Sequence, residues 1–287
     1  MTGYADRAWT SAEGLRLYAR DYAAAGGEAR LPVICLHGLT RNSADFEEVA
    51  PWLAAAGRRV LALDVRGRGR SDRDPDPARY NPAVYAGDVL GLMDRLAIGR
   101  AVFVGTSMGG LITMMAALAA SDRVAAAVLN DVGPELSLKG LTRIGGYVGQ
   151  AGAFADWEQA ADYARRTNAI AFPDYGEADW NRFARRLCAV NDAGEIVLAY
   201  DPAISAAIPQ ATEAPDLWPM FGPLAAGRPM LLVRGALSDI LDEAIAARVA
   251  ERAPQVRQAV VPGVGHAPML TEPAARSAIE DFLAELP

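Results

Sequence analysis

The sequence predicts an α/β protein, a mostly parallel central sheet with helices on both faces plus an inserted, mainly helical cap. Three observations carry this expectation. Continuous apolar runs such as LPVICLHG (31–38) and AVFVGTSMGG (101–110) have the character of strands buried on both faces, ending in glycine. Amphipathic stretches of helical period alternate with them at the spacing of βαβ units. That rhythm then stops at Pro134 and resumes only near Arg228.

Taken in order, residues 8–23 (AWTSAEGLRLYARDYA) alternate as two short strands turning at Glu13-Gly14. After the strand of 31–38, Ser43 to Ala56 reads as a helix, with Phe46, Val49, Trp52 and Leu53 at helical spacing and Gly57 at its end. RRVLALDVRG (58–67) is a further buried strand and Val84 to Leu96 an amphipathic helix. The strand beginning at Ala101 turns sharply into the apolar helix Leu111 to Ala120, and RVAAAVLNDVG (123–133) is a strand again. From Pro134 to about Gln210 the chain reads as helical or irregular. RPMLLVRGALSD (228–239), a helix over 241–253, a strand over 258–268 and a helix over 272–286 complete the core. The organisation expected is 1–133 core, 134–210 cap insertion, 211–287 core, with no internal repeat.

Net charge is −7, from 28 basic and 35 acidic residues, and no five-residue basic run occurs. This argues against nucleic acid as the main partner, because a phosphate binder needs a basic face. Cys35 and Cys188 form no CxxC pair, which excludes a zinc ribbon and argues against a disulfide framework. No metal ligand cluster is visible, and no metal or cofactor is expected. The first residues carry no apolar run behind a basic segment, and the apolar stretch Met108 to Ala120 is shorter than the ~20 residues of a membrane span. A cytoplasmic protein acting on a small molecule is expected, with no membrane partner.

Gly105-Thr106-Ser107-Met108-Gly109 fits G-x-S-x-G between an expected strand and an expected helix. Such a turn thrusts the Ser107 hydroxyl into a cleft at the positive end of the following helix. A serine needs a base, and the chain has two histidines, His37 and His266. His266 follows the last expected strand and is the candidate base. Asp239, closing the preceding strand, is the preferred orienting acid. Asp131, at the end of the strand after the nucleophile helix, is the alternative, and Asp242 a weaker one. The backbone N–H groups of Leu39 and Met108 are expected to form an oxyanion hole, with His37 and Gly38 shaping the loop beside the substrate. In the cap, Trp157 and Tyr200 are the candidate pocket residues.

Together these residues resemble the α/β-hydrolase superfamily over essentially the whole chain, in the order Ser107, acid, His266. Asp64-Val65-Arg66-Gly67-Arg68-Gly69-Arg70-Ser71 looks like that family's D-x-R-G-x-G-x-S loop, with Arg68 where histidine is commonest. Arg66 and Asp72 read as scaffold. Within the family, the chain is most similar to the capped esterases, enol-lactonases and C–C bond hydrolases of bacterial aromatic catabolism. The resemblance implies a serine hydrolase cleaving a small carboxylic ester, thioester or lactone through an acyl-enzyme. A C–C bond hydrolase or lyase, or a haloperoxidase-like perhydrolase, would use the same triad. Epoxide hydrolases and haloalkane dehalogenases place Asp where this chain has Ser107. A ligand-binding protein with a vestigial site is disfavoured by the complete set of catalytic residue types.

Overall fold

The chain begins with an antiparallel hairpin, β1 (Ala5–Thr10) and β2 (Arg16–Tyr22), and then alternates strand with helix. These elements are β3 (Val33–Leu36), α1 (Val49–Ala55), β4 (Val60–Asp64), α2 (Pro82–Arg95), β5 (Ala101–Thr106), α3 (Met108–Ala119) and β6 (Val124–Asn130). An excursion follows, with α4 (Leu138–Gly145), α5 (Trp157–Asn168), α6 (Glu177–Leu187) and a small hairpin, β7 (Cys188–Val190) with β8 (Ile196–Leu198). The chain returns through α7 (Trp218–Gly227), β9 (Met230–Gly235), α8 (Glu243–Arg252), β10 (Arg257–Val261) and α9 (Pro273–Ala284). The computed structural model describes residues 3–27, 30–207 and 215–287, so the expected end of the insertion at 210 lies outside the described residues.

Eight strands form one sheet in the order β1-β2-β4-β3-β5-β6-β9-β10, parallel from β4 to β10. Every residue of β3, β4 and β6 is buried, as their unbroken apolar runs require when helices cover both faces. On one face Phe46, Val49 and Leu53 pack with Ile279 and Phe282 from α9. On the other, Val89 and Leu92 of α2, Ile112 of α3, Phe221 of α7 and Val249 of α8 form the larger core. Because the strands run parallel, their C-terminal ends gather at one edge, where Ser107, Asp131 and the loop after β9 converge. Among the described residues, no helix is long and apolar enough to cross a membrane.

Local chemistry explains where the chain departs from the simplest reading. The helix expected from Ser43 is split into a 3₁₀ turn (Ser43–Phe46) and α1. Asn42 caps the turn by accepting from Ala44 N–H at 2.9 Å, and Pro51 has no N–H with which to continue an α-helical ladder through it. The last strand stops at Val261 rather than 268, since Pro262 lacks a donor and Gly263 turns with φ +74°. Helix α7 contains Pro223 and forms by burying Phe221 and Leu224, so packing overrides its poor intrinsic propensity.

Candidate active site

The turn from β5 into α3 holds Ser107 at φ +51°, ψ −113°, a backbone conformation costly for a residue with a side chain. Its N–H donates to Asn130 O at 2.9 Å, fixing the turn against the end of β6. The glycines on either side are required sterically. A Cβ on Gly105 would lie 2.4 Å from Gly109 O, and one on Gly109 would lie 2.1 Å from Leu36 O. Neither glycine position has room for a side chain, one being closed by the start of α3 and the other by β3.

His266 Nε2 lies 2.9 Å from Ser107 Oγ, and His266 Nδ1 lies 2.8 Å from Asp131 Oδ2. An ionised carboxylate can only accept, so Nδ1 carries the proton and Nε2 is left free to accept the serine proton. Asp131 is fully buried and its charge is well satisfied: Oδ1 accepts from Gly235 N–H at 2.8 Å, and Oδ2 also accepts from the Ser238 hydroxyl at 2.5 Å. Ser238 Oγ in turn accepts from Ile240 N–H and Leu241 N–H, which directs its proton to the carboxylate.

The preference for Asp239 is therefore corrected. The loop after β9 presents Ser238, not Asp239, to the histidine's acid. Asp239 turns away into a two-bond ion pair with Arg143 of α4, at 2.6 and 2.8 Å. Burial pushes the Asp239 carboxyl up, but the Arg143 guanidinium outweighs this and holds it below the ordinary carboxylate range. Asp242 caps α8 by accepting from Ile245 N–H at 2.9 Å.

Met108 opens α3, where a backbone N–H has no intrahelical acceptor. Opposite it, His37 Nδ1 lies 2.7 Å from Gly38 O while its Nε2 accepts from Val65 N–H at 3.1 Å, a pattern that selects the neutral Nδ1–H tautomer. Gly38 O and Leu39 N–H belong to one planar trans peptide and point in opposite directions. By holding that carbonyl, His37 orients the Leu39 N–H. Burial pushes the His37 imidazole down to about 4, so it stays neutral at physiological pH. Arg68 braces the same feature. Its Nε donates to Leu39 O at 3.0 Å, and its Nη2 lies 3.5 Å from Met108 Sδ.

A cavity of about 80 Å³ opens onto Ser107 and His266. The core supplies Gly38, Leu39 and Arg41, and the excursion between β6 and β9 supplies Ile144, Tyr147, Phe172 and Phe183. Two expected pocket residues are corrected here. Trp157 lies outside this lining, beneath the Arg185 guanidinium at 3.8 Å. Tyr200 is buried away from it, its hydroxyl accepting from Gly149 N–H at 3.2 Å and its backbone bridging Arg68. His37 likewise does not line the cavity and acts through Gly38. Among the described residues, no group of three or more His, Cys, Asp or Glu side chains is placed to hold a metal ion.

The family model for the alpha/beta hydrolase fold matches residues 32–273. The chain belongs to that family. This hydrolase is 36% identical over 251 residues to the 3-hydroxybutyrate-oligomer hydrolase of Cupriavidus necator, covering 84% of each chain. It is 31% identical over 239 residues to the 2-(acetamidomethylene)succinate hydrolase of Mesorhizobium japonicum, covering 82% of this chain and 81% of the relative. The crystal structure of an alpha/beta hydrolase from Novosphingobium aromaticivorans superposes with TM-score 0.91 at 45% identity, over 99% of both chains.

In this hydrolase the D-x-R-G loop is scaffold. Buried Arg66 pairs with Asp88, Asp74 and Glu13, and Asp72 accepts from Arg16 N–H at 2.7 Å. Gly69 is forced, since a Cβ there would sit 2.2 Å from Asp64 Oδ2. Arg41, Tyr147 and Arg143 belong to no motif in the sequence. Arg41 had one signal available: it lies two residues past Leu39, the expected oxyanion-hole residue.

Proposed function

We propose that this protein is a cytoplasmic serine hydrolase that cleaves a small carboxylic ester, thioester or lactone through an acyl-enzyme, without a cofactor. The observation that carries the reading is the unbroken chain from Asp131 through His266 to Ser107, with contacts of 2.8 and 2.9 Å. As Ser107 Oγ attacks the carbonyl carbon, its proton passes to His266 Nε2, and Asp131 stabilises the imidazolium. The developing oxyanion is received by the Leu39 and Met108 N–H groups. His266 then gives the proton to the leaving oxygen or sulfur. A water deprotonated by His266 attacks the acyl-enzyme, releasing the carboxylic acid and regenerating Ser107.

The small cavity, about 80 Å³, favours short acyl groups. A relative that acts on oligomers of 3-hydroxybutyrate supports a short-chain substrate here.

The test is hydrolysis of p-nitrophenyl acetate, butyrate and octanoate by wild type, Ser107→Ala and His266→Ala. Wild type should turn over the two shorter esters faster than octanoate, and each variant should lose about 10⁴-fold or more in kcat. A His266→Ala enzyme keeping a tenth of wild-type turnover would remove the base from the mechanism. A wild type that neither hydrolyses these esters nor takes up a fluorophosphonate on Ser107 would overturn the reading as a whole.

A further inference from the structure

We propose that Arg41 is the substrate-recognition residue of this site and that it selects an ester bearing a carboxylate close to the scissile carbonyl. This rests on the serine-hydrolase reading and names its substrate class. Arg41 leaves the oxyanion loop and runs past Gly38. A Cβ built on Gly38 would lie 3.6 Å from Arg41 Cγ and 3.9 Å from Ser107 Cβ, so the two side chains flank one open edge. The guanidinium is locked on three sides. Nε donates to Asp45 Oδ2 at 2.8 Å, Nη2 donates to Asp45 Oδ1 at 2.5 Å, and the plane lies over the Phe183 ring, 4.0 Å from its centroid. Arg41, Asp45 and Phe183 all line the cavity that holds Ser107 and His266.

What remains is Nη1, which is buried and has no hydrogen-bond partner among the described residues. Arg123, Arg228 and Arg234 also carry a buried nitrogen with no partner among the described residues, but of these four arginines Arg41 is the one in the lining of the Ser107 cavity, where an incoming anion can complete a donor that is otherwise costly to bury. Among the described residues, Asp45 is the one carboxylate in the lining, and its oxygens are occupied by Arg41. Among the described residues, no free carboxylate in the lining therefore competes with an incoming anion. The orientation is fixed before binding, which reduces the ordering cost of the contact. A carboxylate oxygen is the acceptor that gains most, because the hydrogen bond is charged on both sides.

Two matched pairs test this, one with the charge on each side of the ester: monoethyl succinate against ethyl butanoate, and 3-acetoxybutanoate against 2-butyl acetate. In at least one pair, wild-type kcat/KM for the anion should exceed that for the neutral ester by about tenfold or more. Arg41→Gln should collapse that ratio, chiefly through KM for the anion, and Arg41→Lys should restore part of it. Should Arg41→Gln fail to fold, wild type alone decides: succinate should slow fluorophosphonate labelling of Ser107 where succinamide does not. Neutral esters turned over with no anionic preference in either pair, or a preference untouched in the variants, would overturn the role of Arg41 and leave the hydrolase reading standing. Absence of both turnover and labelling would overturn the hydrolase reading itself.

Discussion

Arg68 shows how a single side chain can organise a site it does not enter. Its donors reach Leu39 O, Arg66 O and the Tyr85 hydroxyl, and it touches Met108 Sδ, so it joins the two residues proposed to form the oxyanion hole. Lysine has no planar fork and cannot make these contacts together. Arg68→Lys should therefore lower kcat on p-nitrophenyl butyrate by about 10–100-fold, less than the ~10²–10³ that loss of an oxyanion donor itself costs, because the donor is displaced and not removed. KM should change by less than about threefold, because the substrate is not the partner lost. A raised KM at unchanged kcat would contradict this. The sequence made Ser107 and His266 legible because a motif and a count of two histidines isolate them. The acid was not separable in that way: Asp131 and Asp239 both end strands at the same edge, and only the folded position of Arg143 decides which faces His266.

At the scale of elements, close approach of backbones sets the geometry. Strand β9 meets the His266 loop at Gly235, where a Cβ would lie 2.4 Å from Gly265 O. Leu237 N–H donates to Val264 O, and Gly265 N–H donates to Ala171 O, so this loop is held from both the sheet and the excursion. Gly235→Ala should displace the loop, lowering kcat and reducing stability by about 1–3 kcal/mol in urea titration. Gly87 in α2 is the opposite case, exposed and with open space around its Cα. Gly87→Ala should stabilise by up to ~1 kcal/mol through helix propensity. Equal responses of the two variants would contradict this packing account. Strands β3 to β6 were legible because burial on both faces leaves an unbroken apolar run. Helix α7 and the β7–β8 hairpin were not, since one contains proline and the other has strands of three residues each.

For the molecule as a whole, the buried titratable groups link stability to pH. Burial pushes His37 down to about 4, against ~6.5 for a free imidazole. Between those values the unfolded chain binds a proton that the native state refuses, so stability falls as pH falls, by about 3 kcal/mol in total. Asp74 and Asp239, held low by arginines, act in the same direction at lower pH, whereas Asp64 and Asp88, raised by burial, oppose it. A comparison of wild type with His37→Asn separates the histidine from these carboxyls. The urea midpoint of wild type should drop more steeply from pH 7 to pH 4.5 than that of the variant. Parallel curves would remove His37 from the account. The sheet and its catalytic edge were legible at this scale because strand order follows from alternation. The cavity was not: Tyr147 after α4, Phe172 between α5 and α6, and Phe183 on α6 come to one lining from separate segments, which no period in the sequence specifies.

Ser107, His266 and Asp131 are proposed to act as one unit, which kcat of Asp131→Asn beside Asp239→Asn on p-nitrophenyl butyrate tests. Loss of the buried acid should cost about 10⁴-fold, because the histidine tautomer is no longer held. Asp239→Asn should retain activity within about tenfold, since Asp239 hydrogen-bonds Arg143 and not the histidine. The reverse order of effects would place Asp239 in the triad and contradict the account.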